Sequence, residues 1–178
     1  YGAVVILLQH GGTTTFRGEP GIILQTGQEA TWADIQAAYA ADWQDGRISL
    51  VHVNWGIENR PNTVKTFVGV SDRFFSHYYV DSGVMLPHSL VYEGGCQTLK
   101  NNALADAFFR SGAGAFIGWT DTQGVSPWTA GALFADMADG TLLSDAVDAL
   151  PESLRHDARW ADAWIGYYPT PVGGTLQL

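Results

Sequence analysis

Between residues 89 and 150 short apolar runs alternate with helical stretches, and no other feature of the chain restricts its fold so narrowly. Residues 89–93 read as a strand, and residues 99–110 as a helix whose apolar stripe is Leu104, Ala107 and Phe108. Gly112 and Gly114 close that helix, and Ala115–Trp119 forms the next apolar run. Ser126 followed by Pro127 is the signature of a helix start, with a proline where the backbone N–H has no partner to lose. That helix extends to about Ala138, and another, over 141–150, ends at Pro151. Strands that alternate with helices cannot pair as hairpins, so this order predicts an α/β fold with a mostly parallel sheet flanked by helices.

The flanking regions fit the same expectation. Residues 2–9 form an apolar, β-branched run suited to a strand covered on both faces. Gly11, Gly12 and three threonines then read as a polar turn, and residues 21–25 as a short strand. Thr31 is an N-cap for a helix from Trp32 to about Asp42. Residues 49–55 and 63–70 alternate in polarity, as strands do. The tryptophan- and tyrosine-rich stretch after residue 156 reads as irregular, with a final strand over 175–178. The start at Tyr1 lacks a charged segment ahead of its apolar run, so it is not read as a signal peptide, and the chain is expected to begin inside a fold.

Composition narrows the function. The 178 residues carry nine Lys and Arg against eighteen Asp and Glu, a formal charge of −9. Nucleic-acid binding requires a dense cationic surface that displaces counterions, so no nucleic-acid partner is expected. No apolar run approaches the roughly 20 residues that span a bilayer, so no membrane span is expected either. With 46% hydrophobic residues the chain can build a core, and its length suits one domain over residues 1–178. A single cysteine excludes an internal disulfide and a cysteine-rich zinc site. Neither an acidic loop of the EF-hand type nor closely spaced histidines occur, so no metal and no cofactor is implied.

Two strand ends carry chemistry. One runs Leu-Leu-Gln9-His10-Gly11-Gly12, the other Val-Tyr-Glu93-Gly94-Gly95-Cys96. Each sets a reactive side chain just past an apolar run, with glycines that let a ligand approach the backbone. Sites of open parallel sheets form at that edge. An imidazole that takes a thiol proton yields a thiolate that attacks a carbonyl carbon. Backbone N–H groups at Gly11 and Cys96 would stabilise the resulting oxyanion. A lone cysteine is often inert packing, and a lone strand-end histidine is often structural. The pairing of both at one edge is what singles them out.

An apolar strand ending in His-Gly, followed later by one ending in a small residue and Cys, resembles the clan CD cysteine peptidases: caspases, legumains, clostripain, separase and gingipains. The likeness is closest to gingipain-like bacterial domains, and residues 102–119 also look like CHAT domains of the same superfamily. The resemblance implies a caspase-like three-layer sandwich and a cysteine endopeptidase with Cys96 as nucleophile and His10 as general acid/base. The amides of Gly11 and Cys96 serve the oxyanion. His10 and Cys96 are 86 residues apart, against roughly 50 in caspases, which makes about 49–85 an insertion. The strand and helix that precede the histidine strand in these families are missing, so a preceding segment or a larger assembly would complete the sheet. A protein or peptide is the implied substrate, and a secreted or cell-surface bacterial setting the implied location.

Substrate choice falls to the strand after the cysteine strand. Asp121 there would bind a basic residue by a charge-assisted bond, which suggests cleavage after Arg or Lys. Trp119 and Glu93 are the other substrate-binding candidates, although Asp121 also suits a turn and Glu93 lies on the opposite strand face. The competing reading is a catalytically inactive, CHAT-like interaction or surface-assembly domain with a buried, unreactive cysteine. The aromatic cluster Trp160, Trp164, Tyr167 and Tyr168 reads mainly as packing of the C-terminal segment.

Overall fold

The computed structural model describes residues 4–7, 9–55, 63–160, 162–170 and 172–177. Nine strands form two sheets among these residues. The chain opens with β1 (Val4–Leu7), then β2 (Gly11–Phe16) and β3 (Glu19–Glu29). Helices α1 (Trp32–Ala38) and α2 (Ala40–Gln44) follow, then β4 (Ile48–Trp55), β5 (Thr63–Ser71) and the single turn α3 (Asp72–Phe75). A π-helical turn, Ser76–Asp81, leads toward β6 (Leu90–Glu93). The second half holds α4 (Ala103–Arg110), β7 (Ala115–Trp119), α5 (Ser126–Ala138), α6 (Leu143–Ala149) and α7 (Glu152–Arg155). The hairpin β8 (His156–Asp157) and β9 (Ala163–Tyr168) precedes a 3-10 turn at Val172–Thr175.

The expected mostly parallel, caspase-like sandwich is not what forms. One sheet has the order β1-β6-β7-β9-β8, the other β2-β3-β5-β4. Only β1 with β6 and β6 with β7 run parallel. The other five pairings among the described residues are antiparallel, including every pairing of the second sheet. Two stretches account for the difference. Gly11 to Thr15, expected as a turn, is strand β2, because its β-branched threonines suit a pleated ladder opposite β3. The aromatic stretch expected to be irregular contains β9, with Ala163 and Ile165 turned into the core and Trp164 outward. Its antiparallel register on β7, Ile117 opposite Tyr167 and Trp119 opposite Ile165, closes off parallel growth of the sheet.

The described residues of 49–85, a span expected as an insertion, pack with what precedes them. They include most of β4, all of β5 and the π-helical turn, and both strands share a sheet with β2 and β3.

The central strands β6 and β7 are buried on both faces. On one, Leu90, Tyr92, Ile117 and Trp119 pack against Leu133 and Met137 of α5 and Leu143 and Val147 of α6. On the other, Val91 and Phe116 meet Leu104, Ala107 and Phe108 of α4. Ile22 and Leu24 of β3 and Phe75 join that second cluster, so the two sheets share a core there. Each large apolar side chain buried in this way contributes about 1.5–3 kcal/mol. A smaller cluster of Ala30, Ile35, Ile48 and Val68 seats α1 on the four-stranded sheet. The Thr31 cap forms as expected, its hydroxyl accepting from the Asp34 amide while the Asp34 carboxylate accepts from the Thr31 amide. No helix among the described residues is long and apolar enough to cross a membrane.

Candidate functional site

The parallel pairing of β1 with β6 brings the two strand ends together. Leu7 sits opposite Glu93, and the Gly94 amide donates to the Leu7 carbonyl at 2.7 Å. The chain then leaves β1 through Gln9 and His10 and leaves β6 through Gly94, Gly95 and Cys96. At Gly11 and Cys96 the two segments touch backbone to backbone. A Cβ at Gly11 would stand 2.6 Å from the Cys96 carbonyl oxygen and 3.4 Å from its nitrogen, so only glycine fits. His10 and Cys96 line one cavity of about 400 Å³, together with Gly94, Gln123, Gly124 and Ser126.

Glu93 supports the floor of this site. It is fully buried, with one carboxyl oxygen accepting from the Gly95 amide at 2.9 Å and the other from Gln9 Nε2 at 3.3 Å. Burial pushes its pKa up to about 8, against the lowering effect of those two hydrogen bonds. At neutral pH this carboxyl is therefore largely protonated. It ties the end of β1 to the turn before Cys96 and cannot reach a substrate, which removes it from the substrate-binding candidates.

Trp119 leaves that group as well, because it is fully buried in the core between the sheet and α5. Asp121 has a different environment. Lys100 Nζ, Gln97 Nε2 at 3.1 Å and the Thr122 amide at 2.9 Å all donate to its carboxylate. The Lys100 hydrogen bond, then that of Gln97, holds its pKa down to about 2. Three donors of the chain already hold this carboxylate, and it does not line the cavity of His10 and Cys96. The reason to expect a preference for basic residues goes with it.

Gln123 was not among the residues expected from sequence. Its Nε2 donates to the Gly94 carbonyl at 2.6 Å, and its Oε1 accepts from the Val125 and Ser126 amides, each at 2.8 Å. One side chain thus satisfies orphan amides at the start of α5 and holds the turn that carries Cys96. Its backbone carbonyl lies 3.6 Å from Cys96 Sγ, in position to accept the thiol hydrogen. A glutamine three residues before Ser126 and Pro127 is the only signal the sequence offered, and it is a weak one. Beyond Gln123, the Gly124 amide donates at 2.8 Å to Asp157, which also holds Arg159 through two side-chain bonds of 2.9 and 2.7 Å. The Arg159 pair holds the buried Asp157 carboxyl well below the usual range.

No group of three or more His, Cys, Asp or Glu among the described residues is arranged to hold a metal ion. What the cavity offers is a thiol, an imidazole and glycine-flanked backbone. No family model matches the chain, and no curated protein or solved structure matches it.

Proposed function

We propose that this chain hydrolyses peptide bonds, with Cys96 as nucleophile and His10 as general acid and base. The observation that carries this reading is the cavity that His10 and Cys96 line together although 86 residues separate them in sequence. In the proposed reaction His10 removes the thiol proton and the sulfur attacks the substrate carbonyl carbon, moving the π electrons onto oxygen. The Cys96 amide, with that of Gly11 beside it, is the donor proposed for that oxyanion. Collapse expels the amine, which takes its proton from the His10 imidazolium, and leaves an acyl-cysteine. Water, deprotonated by His10, then releases the acid and restores the thiol. The reading requires no metal or cofactor.

A second reading is favoured by the Cys96 thiol, whose hydrogen is directed at the Gln123 carbonyl. A thiol kept in that bond does not act as a nucleophile, and the same cavity then serves to bind a protein partner without turnover. A peptide library with each residue type in turn before the cleaved bond separates the two. Cleavage by the wild type that disappears in Cys96→Ala supports the hydrolase. No cleavage with any library member supports the binding domain.

A further inference from the structure

A second cavity, of about 500 Å³, shares no lining residue with the one at Cys96. Arg17, Arg47, Arg73 and Arg110 line it, four of the seven arginines in a chain whose formal charge is −9. They come from the β2–β3 turn, the segment before β4, α3 and the end of α4, so the tertiary fold assembles the cluster.

Several of these guanidinium groups are fixed in place. Arg47 Nε lies 2.5 Å from Asp42 and its Nη1 2.7 Å from Asp45, while Arg73 is held by Glu19. The guanidinium carbons of Arg17 and Arg73 lie 4.9 and 5.0 Å from the centroid of the Phe16 ring. That ring rests on Gly46, at φ 71°, where a Cβ would stand 2.5 Å from ring atoms. Among the described residues Arg17 and Arg110 form no ion pair.

Two of the three carboxylates of the lining, Asp45 and Asp72, have partners inside the chain. Asp45 faces Arg47, Asp81 lies 3.6 Å from His77, and Asp72 accepts the Ile22 amide at 2.8 Å. Burial raises the Asp72 carboxyl above its ordinary value, against the lowering effect of the Ile22 amide. Ser76 and His77 on the π-helical turn add a hydroxyl and an imidazole to the wall.

We propose that this cavity binds a phosphoryl group. Planar guanidinium forks converging from separate elements match a tetrahedral, doubly charged anion with several acceptor oxygens, which a single carboxylate does not fill. Arg17 and Arg110 supply guanidinium groups that no ion pair holds among the described residues, and the paired Arg47 and Arg73 supply fixed donors.

Calorimetric titration of the whole chain at low salt tests this, with inorganic phosphate, pyrophosphate and glycerol 3-phosphate as separate probes. The expected result is saturable binding of at least one of them, weakened about tenfold or more in Arg17→Gln/Arg110→Gln. Arg155→Gln, outside the cavity, should leave it unchanged. Tighter binding of glycerol 3-phosphate assigns the site to an esterified phosphoryl group, and tighter binding of inorganic phosphate to the free ion. No binding of any probe overturns the proposal, as does binding that Arg155→Gln weakens as much as the double variant. Arg110→Gln alone, at an exposed position, gives a second test if the double variant melts early.

Discussion

The Glu93 carboxyl accepts the Gly95 amide at 2.9 Å, two residues along the chain, and so folds the end of β6 back over a fully buried acid. The turn this creates delivers Cys96 to the cavity. Ionising the acid would place an uncompensated charge in the core, which is why its pKa rises to about 8 from 4.5.

A pH dependence of stability follows from that shift. A carboxyl whose folded pKa is raised contributes fully below its unfolded value, here 4.5, and its contribution is lost as pH rises through about 8. The effect is of the order of a few kcal/mol. Thermal melts from pH 5 to 9 should show wild type losing stability toward the alkaline end. Glu93→Gln should flatten that slope and melt above wild type at pH 9.

Gly11→Ala brings a methyl group to within 2.6 Å of the Cys96 carbonyl oxygen. Backbone cannot yield as a side-chain tip does, so we expect a loss of about 1–3 kcal/mol in denaturant unfolding. Peptide cleavage should fall with it even under conditions where the variant is folded.

Gln123→Ala removes three hydrogen bonds at once. The two α5 amides lose their cap, at a cost of about 1 kcal/mol, and the Gly94 carbonyl loses its donor. A drop in melting temperature of several degrees is expected, together with lower cleavage of any peptide that wild type cuts. Gln123→Glu keeps the cap acceptor but not the donor, so it should recover helix stability more than activity.

Asp121→Asn tests whether this residue selects substrates. Because Lys100 and Gln97 already fill its carboxylate, the variant should lose about 1 kcal/mol of stability or less and leave the cleavage preference unchanged. A lost preference for Arg or Lys in the same library would contradict this placement.

Much of the site was legible in the sequence because strand ends are. The apolar runs before His10 and before Cys96, each stopped by glycine, marked two strand ends, and the parallel pairing of β1 with β6 sets those ends side by side. The run at Ala115–Trp119 and the helix opened by Ser126 and Pro127 were equally plain, since periodicity and proline placement are local signals. Sheet direction was not a local signal. Whether Ala163–Tyr168 pairs with β7, and in which sense, depends on Tyr167 and Ile165 reaching a core that exists only once α5 and α6 have packed. The threonines of β2 likewise read as a turn until β3 lies beside them. Glu93 and Asp121 illustrate the same limit. Their residue types suggested substrate contacts, but burial and Lys100 determined what each carboxyl does.

If Cys96 and His10 act as a pair, the alkylation rate of Cys96 depends on the His10 imidazole. Cys96 is the only thiol in the chain, so mass spectrometry reads its reaction with iodoacetamide without ambiguity. The pairing predicts fast modification at neutral pH in wild type, markedly slower modification in His10→Ala, and a peptidase rate that falls by about 10²-fold or more in that variant. Equal, slow modification of both proteins would contradict it and leave the cavity as a binding surface.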